Sequence, residues 1–408
     1  MGEIIIPQGY KSALNLHDTQ VAIKTVKDYF QHELTHRLHL LRVTAPLFVQ
    51  PETGLNDNLN GVEHPVSFEL KDQGTKKTAE IVQSLAKWKR YALHKYGFSE
   101  GEGIYTDMNA IRQDEVTDNI HSVYVDQWDW EKIMSPEERN LDFLKSTVKD
   151  IYEALKNTEK HMADQYDYIE TILPDEIFFI TSQELEDRYP DLTPKEREYT
   201  ITKEKGAVFI MQIGGVLASG ERQDGRSPDY DDWSLNGDLI VYYPVLDIAL
   251  ELSSMGIRVN ADALRAQLKE CGCQSRAKLP FQKSILNGTL PQTIGGGIGQ
   301  SRICMFFPAQ SAHRRGTVLG MADGDTRGDG CDEYSASVRN SLSFLKFLFF
   351  FQKIKKKNSH AVFPHRNSSF FLFFSSYIHV TFGIPRRSAF TSQENVSPIM
   401  GLYYFCIF

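Results

Sequence analysis

Residues 101–131 read GEGIYTDMNAIRQDEVTDNIHSVYVDQWDWE, and this stretch decides the fold class. Its segments GIYTDMNAIR and HSVYVDQWDW flank a short acidic loop, and they predict two neighbouring strands. The segments AVFIMQIG, DLIVYYPVL and ALELSSMGIRV predict three more strands between residues 207 and 259. Because there is no regular alternation of strands and helices, the sequence predicts an α+β fold with a mainly antiparallel sheet flanked by helices. A doubly wound parallel sheet is disfavoured for the same reason.

Helices and a second hairpin are predicted around these strands. Apolar residues at helical spacing predict a helix over residues 19–40, and Gly97 is expected to end the helix in LAKWKRYALHKYG. Ser135 and Pro136 predict the start of a helix that runs to residue 161. HPVSFEL and TAEIVQS predict a hairpin over residues 64–84. We expect a polar loop at residues 218–236 and a glycine-rich turn entering a helix in TIGGGIGQSRICMFF.

The composition bounds the class of protein. The chain has 408 residues and a mass of 46.6 kDa, which corresponds to about two to three domains. Hydrophobic residues make up 41% and the mean hydropathy is −0.36, which excludes collagenous, disordered and multi-span membrane classes. The net charge of −8 argues against a protein that mainly binds nucleic acid. Five cysteines form no CxxC pair and no signal peptide is visible, so we expect free thiols and a cytoplasmic location.

Two predicted strands carry groups that could perform chemistry, and each also has an ordinary structural explanation. Arg112 at a strand end suits a nucleotide phosphate, whereas an exposed hairpin with solvated charges is the alternative. In ELSSMGIRV, strict alternation places Glu251 on the same face as Ser253 and Met255. A carboxylate there could hold Mg²⁺, and a mixed core strand explains the pattern equally well.

Three further segments also have both a possible functional role and an ordinary structural explanation. GGGIGQSR leads into a helix that bears Arg302, and its glycines would let a flat or anionic ligand approach the backbone. Neither a P-loop nor a Rossmann fingerprint is present. The acidic segment SPDYDDWSLNGD could bind an ammonium group or a metal, or form a solvated loop. Lys87, Lys89 and Arg90 are most simply a basic surface stripe beside Trp88.

Taken in chain order, these segments form a pattern that each alone does not. A long helix running into a strand with Pro46, an Arg112 hairpin and a glycine-rich turn before Arg302 resemble the three signature motifs of class II aminoacyl-tRNA synthetases. The resemblance is closer to a smaller relative without tRNA-binding domains, the ammonia-dependent asparagine synthetase (aspartate–ammonia ligase) family. It covers about residues 12–306 and is carried by NDNLNGVE, SLAKWKR, GEGIYTDMNAIRQDE, HSVYVDQWDWE, LKSTV, SQEL-x3-YPDL, PDYDDW, NGD, ELSSMGIRV and PQTIGGGIGQSR.

The resemblance implies a fold like the class II synthetase catalytic domain and a defined reaction. Family members use ATP, with Mg²⁺, to join aspartate and ammonia, and they release asparagine, AMP and pyrophosphate. The aspartate side chain attacks the α-phosphate to give β-aspartyl-AMP, which ammonia then attacks. The resemblance also implies a homodimer whose partners are small molecules, with no nucleic acid and no membrane.

Individual residues receive roles from the same resemblance. The expected catalytic set is Asp57, Lys89, Arg112, Gln127 and Arg302. The expected aspartate-binding residues are Ser84, Lys89, Gln127, Asp231 and Ser254. The expected nucleotide contacts are Arg112, Glu115, Gly295, Gly296, Gly297 and Arg302. The expected Mg²⁺ carboxylates are Asp238 and Glu251. Asp57 is the candidate for guiding or deprotonating ammonium, which must lose a proton before it can attack.

The last quarter of the chain departs from the resemblance. Family members continue with a segment like LRKAHIGEVQ, whereas this chain reads FPAQSAHRRGTVLGMAD from Phe307. Codons chosen for residues 307–318 give FLRKAHIGEVQ when they are read one base later. We therefore expect a catalytic domain at residues 1–306 and a frameshifted, unfolded tail at residues 307–408. A membrane anchor at SFLKFLFFF is disfavoured because its apolar run is about half of what a spanning helix needs. Pro308 is expected to end the helix that bears Arg302.

Two other functions compete with this prediction. An aspartyl- or asparaginyl-tRNA synthetase would share the adenylate chemistry, but no appended RNA-binding domain is visible and the region before residue 341 is strongly acidic. A catalytically impaired paralogue would act as a binding or regulatory protein. Only the aberrant tail supports that alternative, because each motif position holds a chemically competent residue.

Overall fold

The computed structural model describes residues 12–57, 59, 63–72 and 75–307, together with residues 5, 7 and 10. The predicted unfolded tail covers residues 307–408, but its first residue, Phe307, is fully buried in the main core. The rest of that tail, from Pro308 onward and with Cys331 and Cys406, lies outside the described residues. In chain order the described elements are α1 (Leu16–Leu38), β1 (Leu40–Arg42), β2 (Phe48–Val49), β3 (Ser67–Asp72), β4 (Thr75–Ile81), α2 (Ala86–Tyr96), β5 (Gly103–Ile111), β6 (Tyr124–Ile133), α3 (Leu141–Gln165), β7 (Phe178–Thr181), α4 (Ser182–Arg188), α5 (Pro194–Lys205), β8 (Ala207–Met211), β9 (Asp231–Tyr243), β10 (Ile248–Arg258), α6 (Ala261–Glu270), α7 (Pro280–Leu286), β11 (Thr293–Gly299) and α8 (Gln300–Phe306).

An eight-stranded sheet organises these elements, with the spatial order β1-β5-β6-β11-β10-β9-β8-β7. The two edge pairings, β1 with β5 and β7 with β8, are parallel. All five pairings between them are antiparallel. Helices pack on this sheet, so the predicted α+β class and mainly antiparallel sheet are confirmed.

One face of the sheet is apolar and carries the main core. Trp128 and Trp130 on β6 and Leu239 on β9 are buried there together with Phe30 of α1. The Phe30 and Trp128 rings lie 4.9 Å apart between centroids. The amphipathic helices α1 and α3 cover this face, and their apolar stripes contribute to the same cluster. Removing this apolar area from water is the main force that holds the two helices to the sheet.

The opposite face is apolar only at its two flanks. On one flank Leu85 and Leu93 of the α2 region pack on Ile104 and Met108 of β5. On the other flank, α4 and α5 cover β7 and β8 in a second apolar cluster. Between these clusters, alternate positions of β6 carry polar side chains. The segment QWDWE therefore puts the rings of Trp128 and Trp130 into the core. It puts Gln127, Asp129 and Glu131 into a central polar strip on the opposite face.

Several predicted helix boundaries are confirmed. The chain leaves α2 through Gly97, which has φ +73° and caps the helix in the left-handed conformation. Two further helices, α4 and α5, follow the same kind of local rule, since they begin at Thr181 and Thr193 with reciprocal capping boxes. The hairpin predicted over residues 64–84 is the antiparallel pair β3 and β4.

Three predicted boundaries are wrong. Ser135 does not begin α3, because Ser135 and Glu138 close a separate turn on each other and Asn140 caps the helix instead. The loop predicted to extend to residue 236 ends earlier, since β9 begins at Asp231. The GGGIG segment is not a turn but part of β11, in the interior of the sheet between β6 and β10.

A second, three-stranded sheet has the order β2-β4-β3. It leaves Phe48 and Phe68 each 38% exposed, with their rings 5.3 Å apart in an edge-on pair. Pro46 lies between β1 and β2 and not inside a strand. Across the described part of the chain, no helix combines the length and the apolar character needed to cross a membrane.

Candidate active site

The polar strip has a floor built from β6, β11 and the helix α2. Lys89 of α2 is 1% exposed, and its Nζ donates to the Gly296 carbonyl oxygen at 2.8 Å. The same Nζ lies 3.5 Å from Asp129 Oδ2 on β6. Burial lowers the pKa of Lys89, and the Asp129 carboxylate opposes that shift. Gln127 lies two positions before Asp129 on the same face of β6. The floor thus presents an amide, a carboxylate and a buried ammonium group side by side.

Arg258 joins this floor to the next strand pair through a buried ion-pair network. Its Nη2 donates to Glu131 Oε2 at 2.7 Å and its Nε to Glu131 Oε1 at 3.0 Å. Its Nη1 pairs with Asp231 on β9. Burial alone would raise the pKa of Glu131, but Arg258 and the Thr293 hydroxyl hold it below its usual value. Burial raises the pKa of Asp231, and Arg258 only partly offsets that effect.

The acidic segment SPDYDDWSLNGD is not a solvated loop. Its four aspartates are at most 8% exposed. Each has a basic partner, and the pairs are Lys87 with Asp229, Arg258 with Asp231, Arg139 with Asp232 and Arg226 with Asp238. Because the four basic partners are different residues, the four aspartates do not form one acidic cluster. Among residues that the structure describes, no group of three or more His, Cys, Asp and Glu is arranged to hold a metal ion.

The basic stripe predicted on α2 is also buried. Lys87, Lys89 and Arg90 are 3%, 1% and 4% exposed. Arg90 donates to the carbonyl oxygens of Val259 and Pro291. The prediction of a surface stripe is wrong because α2 packs against β6 and β11. Its lysines pair there with buried carboxylates, Lys87 with Asp229 and Lys89 with Asp129.

A β-bulge decides where Glu251 points. The register between β10 and β9 shifts between Glu251 and Ser253, so Glu251 pairs with Ile240 while Ser254 pairs with Asp238. Directly paired residues share a face, so Glu251 lies on the face of Asp238 and Ser254 and not with Ser253 as strict alternation predicted. The two expected metal carboxylates are therefore on one face. Asp238 Oδ1 is buried and accepts no hydrogen bond from any described residue.

Two arginines approach these carboxylates from the strand and helix ends. Arg302 of α8 donates from Nη1 to the Glu251 carbonyl oxygen at 2.7 Å and lies 3.7 Å from Glu251 Oε2. Arg112 follows β5, and its charge lowers the pKa of Glu251, as Arg302 does more strongly, against the larger effect of burial. Arg112 Nε is buried without an acceptor in the described ranges. Glu115 lies in the following turn, where its amide donates to the Arg112 carbonyl oxygen.

Asp57 occupies a separate buried recess beside the strip. It is 1% exposed, and neither carboxylate oxygen accepts a hydrogen bond from a described residue. Burial raises its pKa, Lys87 opposes that shift and Asp229 adds to it. Lys87 Nζ donates to the Asn56 carbonyl oxygen at 2.9 Å and to Asp229 Oδ2 at 3.0 Å, which ties the Asp57 loop to α2.

Tyr230 lies between this recess and the strip. The charges of Asp57 and Asp231 both raise its pKa, after the larger effect of burial. The Arg258 guanidinium lies 5.8 Å from the centre of its ring. A small cation held by Asp57 would therefore lie next to the polar strip.

The remaining predicted residues have identifiable places. Ser84 Oγ accepts from the Ala86 amide at 3.2 Å at the start of α2. Ser254 pairs with Gly297 as well as with Asp238, so it lies in the middle of the strip. The structure brings together Lys89, Gln127, Ser254, Asp231, Asp238, Glu251, Arg112 and Arg302 on one face of the sheet, and it places Asp57 and Ser84 beside them.

The glycines of β11 make room for side chains of neighbouring strands. A Cβ at Gly297 would lie 2.5 Å from Gln127 Oε1 and 2.7 Å from Asp129 Oδ1. A Cβ at Gly295 would lie 2.6 Å from Arg258 Nη2, and Gly296 faces the core under Met255. The glycines were predicted to admit nucleotide. In the structure, the absence of side chains at Gly295 and Gly297 leaves room for the side chains of Arg258, Gln127 and Asp129.

Replacing Gly297 with alanine is expected to reduce turnover at least tenfold and to lower stability by about 1–3 kcal/mol. The added methyl group displaces Gln127 and Asp129, and backbone on both sides prevents β11 from moving away. Steady-state kinetics and urea unfolding would measure both effects. Gly215→Ala is the control, since no atom lies within 4 Å of its built Cβ. Normal kinetics in Gly297→Ala would contradict the packing argument.

Sequence reasoning gave no role to Asp129, Glu131, Arg258, Arg226 or Lys87. A signal for the first two was present, because QWDWE alternates so that Asp129 and Glu131 share the face of Gln127. Arg258 follows the motif ELSSMGI on the face of Ser254 and Gly256. No sequence signal identifies Lys87 or Arg226 as partners of Asp229 and Asp238.

Comparisons with known proteins give one consistent family. The family described as aspartate–ammonia ligase matches residues 17–318. An aspartate–ammonia ligase of Ruminiclostridium cellulolyticum is 61% identical over 307 residues, which is 75% of this chain and 91% of that protein. One of Clostridium perfringens is 61% identical over 325 residues, which is 80% of this chain and 96% of that protein.

A solved structure is also similar. An asparaginyl-tRNA synthetase of Entamoeba histolytica in complex with asparaginyl-adenylate has a TM-score of 0.49 and 13% identity. The match covers 72% of this chain, which spans about 65% of that synthetase.

Proposed function

Since this chain belongs to the aspartate–ammonia ligase family, it is a ligase that forms asparagine from aspartate and ammonia, and we propose that it does so through β-aspartyl-AMP. In this reaction a β-carboxylate oxygen of aspartate attacks the α-phosphorus of ATP and pyrophosphate leaves. The nitrogen of ammonia then attacks the activated carbonyl carbon, and AMP leaves. The observation that carries the proposal is the polar strip, where carboxylates, arginines and a buried lysine face one another over the β11 glycines.

The proposed aspartate site is the floor around Lys89. The buried ammonium group is suited to a substrate carboxylate, and Asp129 and Asp231 are suited to the α-ammonium group. Gln127 and Ser254 supply uncharged hydrogen-bonding groups on the same face. Because these side chains are held by packing and by one another, the substrate is oriented before reaction.

The proposed nucleotide site lies at the end of the strip with Arg112, Glu115 and Arg302. Arg112 has a buried Nε without an acceptor among the described residues, which suits an α-phosphate oxygen that gains charge during attack. Asp238 and Glu251 fit Mg²⁺, because they lie on one face, one oxygen of Asp238 has no described partner, and Mg²⁺ prefers carboxylate and phosphate oxygens. When bound, Mg²⁺ would supply positive charge to the triphosphate.

Asp57 is the proposed ammonium site. Neither oxygen of the buried Asp57 carboxylate has a hydrogen-bond partner by distance and angle among the described residues. Such a carboxylate accepts hydrogen bonds from ammonium and can take the proton that ammonium must lose. Burial raises its pKa, which makes it a better proton acceptor than an exposed aspartate.

The experiment that tests the function is a product assay with ATP, Mg²⁺, aspartate and ammonium, scoring asparagine and AMP. We expect both products in equal amounts. AMP with no asparagine, together with label transferred to tRNA, would support a tRNA synthetase instead. If neither product forms, the assay is repeated after one base is removed near codon 307. If neither product forms after this change, the result would favour a catalytically impaired paralogue.

We further propose that residues 1–306 are the catalytic domain and that residues 307–408 arise from a frameshift. The described residues, up to Phe307, all belong to one compact unit, which supports a single domain for this part of the chain. Resequencing of gene and transcript across codon 307 tests the second point. A cytoplasmic location is proposed as well, and the free thiols of Cys271, Cys273 and Cys304 support it.

We also propose a homodimer and expect the double variant Phe48→Glu and Phe68→Glu to be monomeric. The paired rings are 38% exposed on the small sheet, next to Leu47, which is 53% exposed, and large exposed apolar patches mark interaction sites. Analytical ultracentrifugation would give the mass of both proteins. Val216→Glu, at an exposed apolar residue on a different loop, is the control. A monomeric unmodified protein would overturn the proposal.

A further inference from the structure

Arg226 forms an ion pair with Asp238, one of the two carboxylates that are proposed to hold Mg²⁺. It lies in the loop between β8 and β9, and its side chain is 12% exposed. Its Nη2 pairs with Asp238 Oδ2, and its Nη1 donates to the Gly225 carbonyl oxygen at 2.8 Å. Nη1 also lies 3.3 Å from Asp224 Oδ2. Within the described chain, Arg226 Nε is buried and donates no hydrogen bond.

Several carboxylates surround the Arg226 guanidinium. The carboxylates that act on Arg226 are those of Asp238, Asp224 and Glu251. Glu251 in turn is acted on by Arg302 and also by Lys195. Both carboxylates of the proposed metal site therefore already face an arginine, Asp238 through Arg226 and Glu251 through Arg302.

A guanidinium group and a divalent cation compete for the same carboxylate oxygens. If Asp238 binds a cation, Arg226 loses its main ion-pair partner while its own side chain is only 12% exposed. Its remaining ion pair is with Asp224, whose side chain is 37% exposed. A largely buried guanidinium that loses its main anion is destabilised, so a new anionic partner is favoured. The new anion that arrives together with the metal is the triphosphate, and a planar guanidinium binds phosphate oxygens in a bidentate manner.

We propose that Arg226 exchanges partners when ATP binds: it neutralises Asp238 in the ATP-free enzyme and then binds the β- and γ-phosphates. This inference rests on the proposed function, because it takes ATP as the nucleotide. It gives the loop between β8 and β9 a direct role in ATP recognition. It also predicts that the enzyme distinguishes ATP from AMP largely through this one side chain.

The test is binding, measured for Arg226→Gln and Arg226→Lys by calorimetry without aspartate or ammonium. For Arg226→Gln we expect the affinity for ATP with Mg²⁺ to fall about 10- to 100-fold, as for the loss of a charged hydrogen-bonded contact. AMP affinity should change less than about twofold, because AMP has no β- or γ-phosphate. Arg226→Lys keeps the charge but not the planar fork, so its loss should be smaller.

A second measurement uses Mn²⁺ alone, followed by electron paramagnetic resonance. Removing the arginine frees Asp238, so Arg226→Gln should bind Mn²⁺ about tenfold more tightly than the unmodified enzyme. Arg222→Gln is the matched control on the same loop, since Arg222 pairs with the exposed Glu270. It should change neither affinity.

Each outcome decides the proposal. Unchanged ATP affinity in Arg226→Gln, or equal losses for ATP and AMP, would overturn it. If Arg226→Gln does not fold, as judged by thermal melting, Arg226→Lys decides in the same way. The product assay separates this proposal from the proposed function. If Arg226→Gln selectively loses ATP affinity but the chain makes no asparagine, the partner exchange of Arg226 is supported and the ligase activity is contradicted. If the enzyme makes asparagine and Arg226→Gln binds ATP normally, only the partner exchange is contradicted.

Discussion

Replacing Arg258 with methionine is expected to abolish asparagine formation and to lower the free energy of unfolding by about 3–5 kcal/mol. Arg258 is the shared partner of Glu131 and Asp231, and all three residues are at most 3% exposed. Methionine fills much of the volume but leaves two buried carboxylates without their cation. Their repulsion would distort the floor on which aspartate is proposed to bind. Urea unfolding and the product assay measure the two effects.

The control for this variant is Arg265→Met, because Arg265 pairs with Asp262 on the surface of α6 with both side chains more than half exposed. Exposed pairs contribute about 0–1 kcal/mol, so this variant should be nearly neutral. The double variant Glu131→Gln with Arg258→Met should recover part of the lost stability and none of the activity. A stable and active Arg258→Met protein would show that the network does not organise the site.

Replacing Asp57 with asparagine is expected to slow asparagine formation by about 10²- to 10⁴-fold, the usual contribution of a proton acceptor. Aspartate-dependent exchange of pyrophosphate into ATP should stay near normal, because that half-reaction does not use ammonium. Rapid-quench and exchange assays measure the two steps separately. Equal losses in both steps would mean that Asp57 supports the whole site and not the ammonia step.

The same substitution is expected to stabilise the fold at neutral pH. Burial raises the pKa of Asp57, with Lys87 and Arg276 opposing and Asp229 adding to the shift. A carboxyl group whose folded-state pKa is raised favours the fold at low pH, and that contribution is lost as pH rises through the raised pKa. The stability difference between Asp57→Asn and the unmodified protein should therefore grow from about pH 4 upward.

Asp229 provides the opposite control in the same cluster. Burial would raise its pKa, but Lys87 and Arg276 hold it below the usual value. Its ionised form therefore stabilises the fold above the unfolded-state pKa, and this contribution is lost as pH falls through the lowered pKa. Asp229→Asn should lower stability at neutral pH, where Asp57→Asn raises it. Urea unfolding of both variants at acidic and neutral pH checks the signs.

The sequence predicts well those features that depend on local rules. Alternation predicts the strands β5 and β6, and Gly97 predicts the end of α2. The bulge at Glu251 was not predictable, because it arises from how β10 meets β9 and moves one carboxylate to the other face. The β11 glycines were predicted as a turn for a similar reason. Only the neighbouring side chains of β6 and β10 explain why a strand interior needs residues without Cβ atoms.

In the candidate site, too, the residues within recognisable motifs were predicted, and their partners from distant parts of the sequence were not. Motif positions such as Lys89 and Arg302 were predicted from the family resemblance, and the structure places them on one face. Their partners were missed because they are distant in sequence. Lys87 meets Asp229 across 142 positions, and Arg258 meets Glu131 across 127. No local sequence pattern indicates such a pairing. A charged segment that is buried in the fold therefore cannot be distinguished by sequence from one that is exposed to solvent.

The position of β11 has a consequence for biosynthesis. This strand is the last of the sheet to leave the ribosome, yet it lies between β6 and β10 and pairs Thr293 with Ile133. A nascent chain shorter than this point exposes two interior strand edges, which invite aggregation. Closing the sheet late and over so long a separation also makes folding slow. Translation that stops early should therefore produce insoluble fragments and not partly active ones.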